Sequence, residues 1–217
     1  SQQVYSKMGS YYYGTKGCRP AEAASGSSFT CTEVDFTSTG LKNDATRNAI
    51  ETVIWNLGGN DNYNTATASM FYASEKEGKG YTNHPGTWTG KIGLIYASDY
   101  GYATSGGTIA NRATCLQTAL NNWKNSDVSD CKDNNYLYKS SQVQWLLNFG
   151  NGDRVLNIDI KGKVGYTAAF SGKYHIELAI TFDNQNVNVY PSLYLKSNIS
   201  ISAGTGSSSD PYQLSIK

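Results

Sequence analysis

The stretch Val143-Gln-Trp-Leu-Leu-Asn-Phe149, followed by Arg154 to Ile160, Lys163 to Phe170 and Tyr174 to Phe182, decides the fold class. These segments are rich in apolar and β-branched residues. They are separated by Gly-Asn-Gly, Lys-Gly and Ser-Gly, which are turn signals of hairpin type. The spacing predicts an antiparallel meander, and Val187 to Leu195 extends it beyond a further Asp-Asn turn. Within Tyr174–Phe182, Ile176, Leu178, Ile180 and Phe182 alternate with His175, Glu177 and Thr181, so one face is expected to pack and the other to meet solvent. Pro191 cannot donate to a ladder, which places it at an edge or bulge.

Upstream the period changes. Ile50, Val53, Ile54 and Leu57 recur at helical spacing after Asn43 or Asp44 and before Gly58-Gly59, and they predict an amphipathic helix with a left-handed glycine stop. Residues 60–81 read as a polar loop. Lys91 to Tyr96 predicts a short strand buried on both faces. Ile109, Ala113, Leu116, Leu120 and Trp123 predict a second helix, ended by the polar run from Asn125 to Asn135. The fold class expected is therefore α+β, with two amphipathic helices on a twisted antiparallel sheet. Residues 1–40 form an extended segment and residues 41–217 one domain; no repeat or linker divides the latter.

The composition narrows the function. The chain has 217 residues, of which 16% are charged, with 18 basic and 17 acidic residues and 17 Tyr. An average soluble chain is roughly 25% charged, so this surface is built from neutral polar groups. A net charge of +1 offers no field to gather nucleic acid or an anionic membrane. No run reaches the roughly 18 apolar residues of a membrane helix, and residues 1–10 lack a signal peptide's apolar core, so the chain reads as a soluble fragment.

Four cysteines, Cys18, Cys31, Cys115 and Cys131, show no metal-type spacing. Three pairings are possible, and Cys18–Cys31 with Cys115–Cys131 is the expected one, because each pair brackets a stretch rich in small polar residues. Such usage points to an exported protein.

Catalytic signatures fail residue by residue. There is no Gly-x-Ser-x-Gly elbow, Walker loop or His-Glu-x-x-His. His175-Ile-Glu177 opens a zinc-deaminase pattern whose Pro-Cys-x-x-Cys never follows. Asn60, Asn62 and Asn64 copy the first ligand spacing of a calcium loop, but Thr65 and Phe71 stand where it needs Gly and Glu. Glu75 with Glu77, and Asp159 with Glu177, are the carboxylate pairs to weigh for glycoside hydrolysis, which needs two acids ~5 to 9.5 Å apart. The first pair reads as a solvated turn beside Lys76 and Lys79. The second has no fixed register. No catalytic residue, cofactor or metal is expected. The positive signal is aromatic: Tyr63, Tyr81, Trp88, Tyr100 and Tyr102 are the candidate ligand contacts, with the tips of Tyr63, Tyr81 and Tyr100 expected at the surface. Tyr amid Asn, Ser and Gly is the composition of adaptable contact loops.

Trp55-Asn-Leu-Gly-Gly59, the run from Trp88 to Ala103, Tyr190 to Ser197 and Gly204 to Tyr212 resemble the C-terminal extracellular region of pilin-like surface proteins of gut Firmicutes, across about Ala45 to Ile216. A weaker similarity is to C-type-lectin-like domains, whose Glu-Pro-Asn, Gln-Pro-Asp and Trp-Asn-Asp calcium motifs are absent here. The resemblance implies secretion and a cell-surface place. The expected function is a non-catalytic, cell-surface or pilus-associated ectodomain that binds a host glycan or protein. Alternatives are a structural filament subunit packing against copies of itself and a secreted carbohydrate-active enzyme. Nucleic acid and membrane contact are not expected.

Overall fold

A computed structural model describes residues 48–78, 86–150, 154–171, 175–177, 187–188, 190–207 and 209–217. Strand β1 is Val53–Asn56 and helix α1 is Ala68–Glu77. Strands β2 (Thr87–Gly90) and β3 (Ile92–Leu94) lead to α2 (Ala97–Tyr102) and α3 (Arg112–Gln117). Two 3-10 turns, Leu120–Lys124 and Ser126–Val128, precede the short α4 (Asp130–Asp133). Then come β4 (Val143–Phe149), β5 (Arg154–Ile158), β6 (Val164–Ser171) and β7 (His175–Glu177). The chain closes with β8 (Val187–Asn188), β9 (Pro191–Leu193), β10 (Ile199–Ala203) and β11 (Gln213–Ile216).

The main sheet has the order β7-β6-β5-β4-β8. Strands β4 to β7 pair antiparallel in sequence order, as their turns imply, while β8 adds to β4 in parallel. Three two-stranded pairs, β1-β2, β3-β9 and β10-β11, complete a mixed α+β architecture. Strand β4, between β5 and β8, is covered on both sides. Leu146, Leu156 and Ile158 face a core with Phe71, Tyr100, Leu120 and Trp123, and Trp145, Leu147 and Val155 face a second with Trp55, Leu57 and Leu94.

Several sequence expectations need correction. The helix expected to end at Leu57 is instead β1 over Val53–Asn56, with Trp55 opposite Trp88. Ile54 is 69% exposed while Trp55 is 2% and Leu57 1% exposed, so the period that folds is two, carried by the β-branched run and the indole. Gly58 is not a left-handed stop. A Cβ there would stand 2.0 Å from the Ser74 carbonyl oxygen, so the glycine permits α1 to lie directly on the chain.

The expected loop 60–81 contains α1. Thr67 caps it, accepting from the Met70 N–H at 3.4 Å, and Gly78 at φ 62° ends it. The second expected helix is shorter. Asn111 caps α3, accepting from the Thr114 N–H at 2.9 Å, extended Thr118 stops it, and Leu120 and Trp123 are carried by a 3-10 turn. Ile109 therefore lies outside the helix and is 60% exposed.

The expected strand 187–195 is split between two sheets, and Pro191 opens β9 opposite Leu94, where its missing N–H matters least. Strands also occur in the first half of the chain, through β1, β2 and β3, where mainly helices were expected. The predicted strand Lys91 to Tyr96 is present as β3, with Gly93 and Leu94 buried. The segment 1–40 and the Cys18–Cys31 pairing lie outside the described residues.

Candidate contact surface

The Cys115–Cys131 disulfide forms, with the two Cα atoms 5.3 Å apart and both residues fully buried. It ties α3 to α4, and α4 in turn grips the loop 103–111. Asp130 is the grip: one carboxylate oxygen accepts from the Ile109 N–H at 2.6 Å and the Ala110 N–H at 3.3 Å. Gly107 has no room for a side chain, because a Cβ would stand 2.5 Å from that same oxygen.

The other side of the loop is equally fixed. Arg112 Nε donates to the Thr104 carbonyl at 3.1 Å and Nη2 to the Tyr102 carbonyl at 3.2 Å. Thr104 Oγ1 accepts from the Gly106 N–H at 3.0 Å. Thr104 bridges to Asn135, and the Ser105 N–H donates to the Asn134 carbonyl at 3.1 Å. Asn135 Nδ2 reaches under the loop to the Tyr100 carbonyl at 2.7 Å. A segment with few apolar anchors is thereby held through its backbone, and it exposes the large apolar side chain of Ile109 among the polar Ser105, Thr108 and Asn111. Ile109 is 60%, Tyr136 75% and Tyr102 39% exposed. The bridge between Thr104 and Asn135 sets Tyr102 and Tyr136 on adjacent chain segments.

Gly106 is the conformational hinge of this arrangement. Its φ is 64°, and a Cβ would stand 2.3 Å from the Arg112 nitrogen. Gly106→Ala is therefore expected to cost about 1–3 kcal/mol, through left-handed strain and the clash. Thermal unfolding checks this, and an unchanged midpoint would show that the loop relaxes freely.

The aromatic candidates divide. Tyr102, a candidate contact, stands on the surface. Tyr63 and Tyr100 do not: they are 2% and 0% exposed, so their expected exposure is corrected. Tyr63 packs edge-on against Tyr166 at 5.6 Å between ring centroids. Tyr100 stacks at 5.1 Å on Trp123, and its hydroxyl donates to the Gly162 carbonyl at 2.7 Å. Each ring keeps an apolar body in the core, and for Tyr100 a backbone acceptor stands in for water. Burial pushes the Tyr100 hydroxyl well above its usual pKa, with Tyr138 and two aspartates adding to the effect. Trp88 is half-buried on β2. Tyr81 lies outside the described residues.

The carboxylates also fall differently from expectation. Asp159 closes the β5-β6 turn, accepting from the backbone N–H groups of Lys161 at 2.9 Å and Lys163 at 3.1 Å. His175 and Glu177 lie on β7, whose backbone pairs with β6. Glu75, read as part of a solvated turn, is instead 5% exposed inside α1. One of its oxygens accepts from the Ser98 N–H at 3.1 Å and from Asn148 Nδ2 at 2.9 Å, and the other accepts from the Ser98 hydroxyl. Burial raises the Glu75 pKa, the donors from Ser98 and Asn148 lower it, and Asp99 raises it further; the net direction is upward.

Among the described residues no cluster of three or more His, Cys, Asp or Glu could hold a metal ion. No described helix is long and apolar enough to cross a membrane. Comparison of the chain with protein-family models, curated proteins and solved structures gives no match.

Proposed function

We propose that this chain is a non-catalytic ectodomain of the bacterial cell surface, of C-type-lectin-like layout, that binds a host glycan or protein through the loop 103–111 and its neighbour Tyr136. The observation that carries this reading is the combination of an exposed apolar tip with a rigid support. Ile109 stands out from a loop gripped by a disulfide-linked helix and by Arg112, and Tyr102 and Tyr136 are exposed on the chain segments beside it. Holding a contact loop in advance removes ordering cost at binding, and tyrosine supplies large contact area with few rotors. The disulfide supports an oxidising, extracellular location. The near-neutral charge supports a partner recognised by stacking and hydrogen bonds rather than by long-range attraction.

A glycan array combined with pull-down from intestinal mucus tests the reading. Ile109→Ala with Tyr136→Ala is expected to weaken the captured interaction at least tenfold, or about 1.4 kcal/mol, while leaving the melting temperature unchanged. Binding that survives this pair of substitutions would remove the loop from the interface.

A second reading, a structural subunit that packs against its own copies, is favoured by the β10-β11 hairpin. Ile201, Tyr212, Leu214 and Ile216 are 45–61% exposed there. Sedimentation velocity over a concentration series separates the two readings. Self-association abolished by Leu214→Lys with Ile216→Lys would support the subunit, and a monomer at every concentration would count against it.

A further inference from the structure

We infer that Ser98 and Asn148 are the partners of an internal ester cross-link, formed with Glu75 as the proton carrier and with loss of one ammonia. The inference goes beyond the binding function and does not depend on it.

Three elements meet at this point: α1 brings Glu75, α2 brings Ser98 and β4 brings Asn148. All three residues are buried, at 5%, 3% and 0% exposure. Asn148 is, with Gln144, one of two buried carboxamides in β4, whose other buried side chains are apolar. The groups that acyl transfer requires meet on the Glu75 carboxylate, one oxygen of which holds the Ser98 hydroxyl and the other the Asn148 amide. The nucleophile is the Ser98 hydroxyl, which donates to one Glu75 oxygen. The electrophile is the Asn148 carboxamide, whose Oδ1 accepts from the Ala97 N–H at 2.6 Å, a donor placed where negative charge would develop. The leaving nitrogen is Asn148 Nδ2, which already touches the other Glu75 oxygen at 2.9 Å. Its remaining partner is the Gly58 carbonyl at 3.2 Å.

The step balances without any co-reactant. Ser98 Oγ passes its proton to Glu75 and bonds to Asn148 Cγ, and the carbonyl electron pair moves onto Oδ1. When that pair returns, the Cγ–N bond breaks, Glu75 gives the proton to the departing nitrogen, and ammonia is released. Three donors on its two oxygens fit Glu75 in the ionised form that accepts the proton. Burial raises its proton affinity, which strengthens it as a base. The dry surroundings keep water from competing for the activated carbonyl. Escape of ammonia into bulk solvent drives the exchange forward. The product ties the first turn of α2 covalently to β4 of the main sheet.

Intact mass spectrometry of the full chain, denatured after incubation at neutral pH, tests this directly. The mass should fall short of the sequence mass by one ammonia, beyond the hydrogens lost to disulfides. Peptide mapping should find a Ser98 peptide joined to an Asn148 peptide, and hydroxylamine should separate them. Ser98→Ala and Glu75→Gln should restore the missing ammonia. A wild-type chain of full mass overturns the inference, whatever the variants do. An ammonia loss that persists in Ser98→Ala, or that maps to another asparagine, overturns it equally.

Discussion

Replacing Cys115 and Cys131 with alanine is expected to lower stability by about 3 kcal/mol, the chain-entropy value for a closed loop of roughly 15 residues. For a chain of this size that corresponds to a fall of about 6–12 °C in the melting temperature. The larger consequence concerns the loop. Asp130 lies one residue before Cys131, so the disulfide sets the position from which its carboxylate holds Ile109 and Ala110. Without the cross-link, the Asp130 acceptor for the Ile109 and Ala110 N–H groups depends on a four-residue helix, too short to hold itself in place. Binding through Ile109 should weaken more than the stability loss alone explains. Measurement well below the melting point, where the variant remains folded, isolates that effect. Equal affinity for wild type and variant would show that Asp130 and Arg112 suffice to fix the loop.

The parts of the fold that could be read from the chain are those in which one period dominates. Strand β4 runs from Val143 to Phe149 as expected, because six consecutive buried positions and a Gly-Asn-Gly turn leave no competing pattern. The strand β1 was illegible for the opposite reason. Positions 50, 53, 54 and 57 satisfy a helical stripe, while 53, 55 and 57 satisfy a strand face. Only the partner β2, more than thirty residues away, selects between them by placing Trp88 against Trp55. Helix α1 was hidden because its buried stripe is Ala68, Phe71 and Glu75, and a carboxylate in that stripe reads as solvent. Its capping Thr67 and terminal Gly78 were the available signals.

The contact surface was half legible. Composition named Tyr102 as a candidate contact without fixing its exposure, and Ile109 was absorbed into a helical stripe that Asn111 cuts short. Tyr63 and Tyr100 show the limit of composition: a phenol ring satisfies a loop or a core equally well until a backbone acceptor is known. The Gly162 carbonyl that receives Tyr100 comes from a turn sixty-two residues away, and no local pattern announces it.

Trp123→Ala is expected to be the most damaging single change, at about 3–5 kcal/mol, the range for deleting a large aromatic from a packed core. Trp123 is fully buried and stacks on Tyr100, which lies beneath the contact loop through Asn135. The cavity would therefore open under the binding surface, and the loop should lose order as well as support. Trp123→Phe separates packing from polarity. The indole Nε1–H is buried with no hydrogen-bond partner among the described residues, a condition that costs about 1–3 kcal/mol. Phenylalanine removes that donor while leaving a smaller void, so the two effects oppose each other. The expected loss for Trp123→Phe is under about 1.5 kcal/mol, as for other near-conservative core replacements. Chemical denaturation of the three proteins checks the ordering. A Phe variant as unstable as the Ala variant would mean that the indole N–H finds an acceptor in solution, and that Trp123 is held by a bond as well as by its packing.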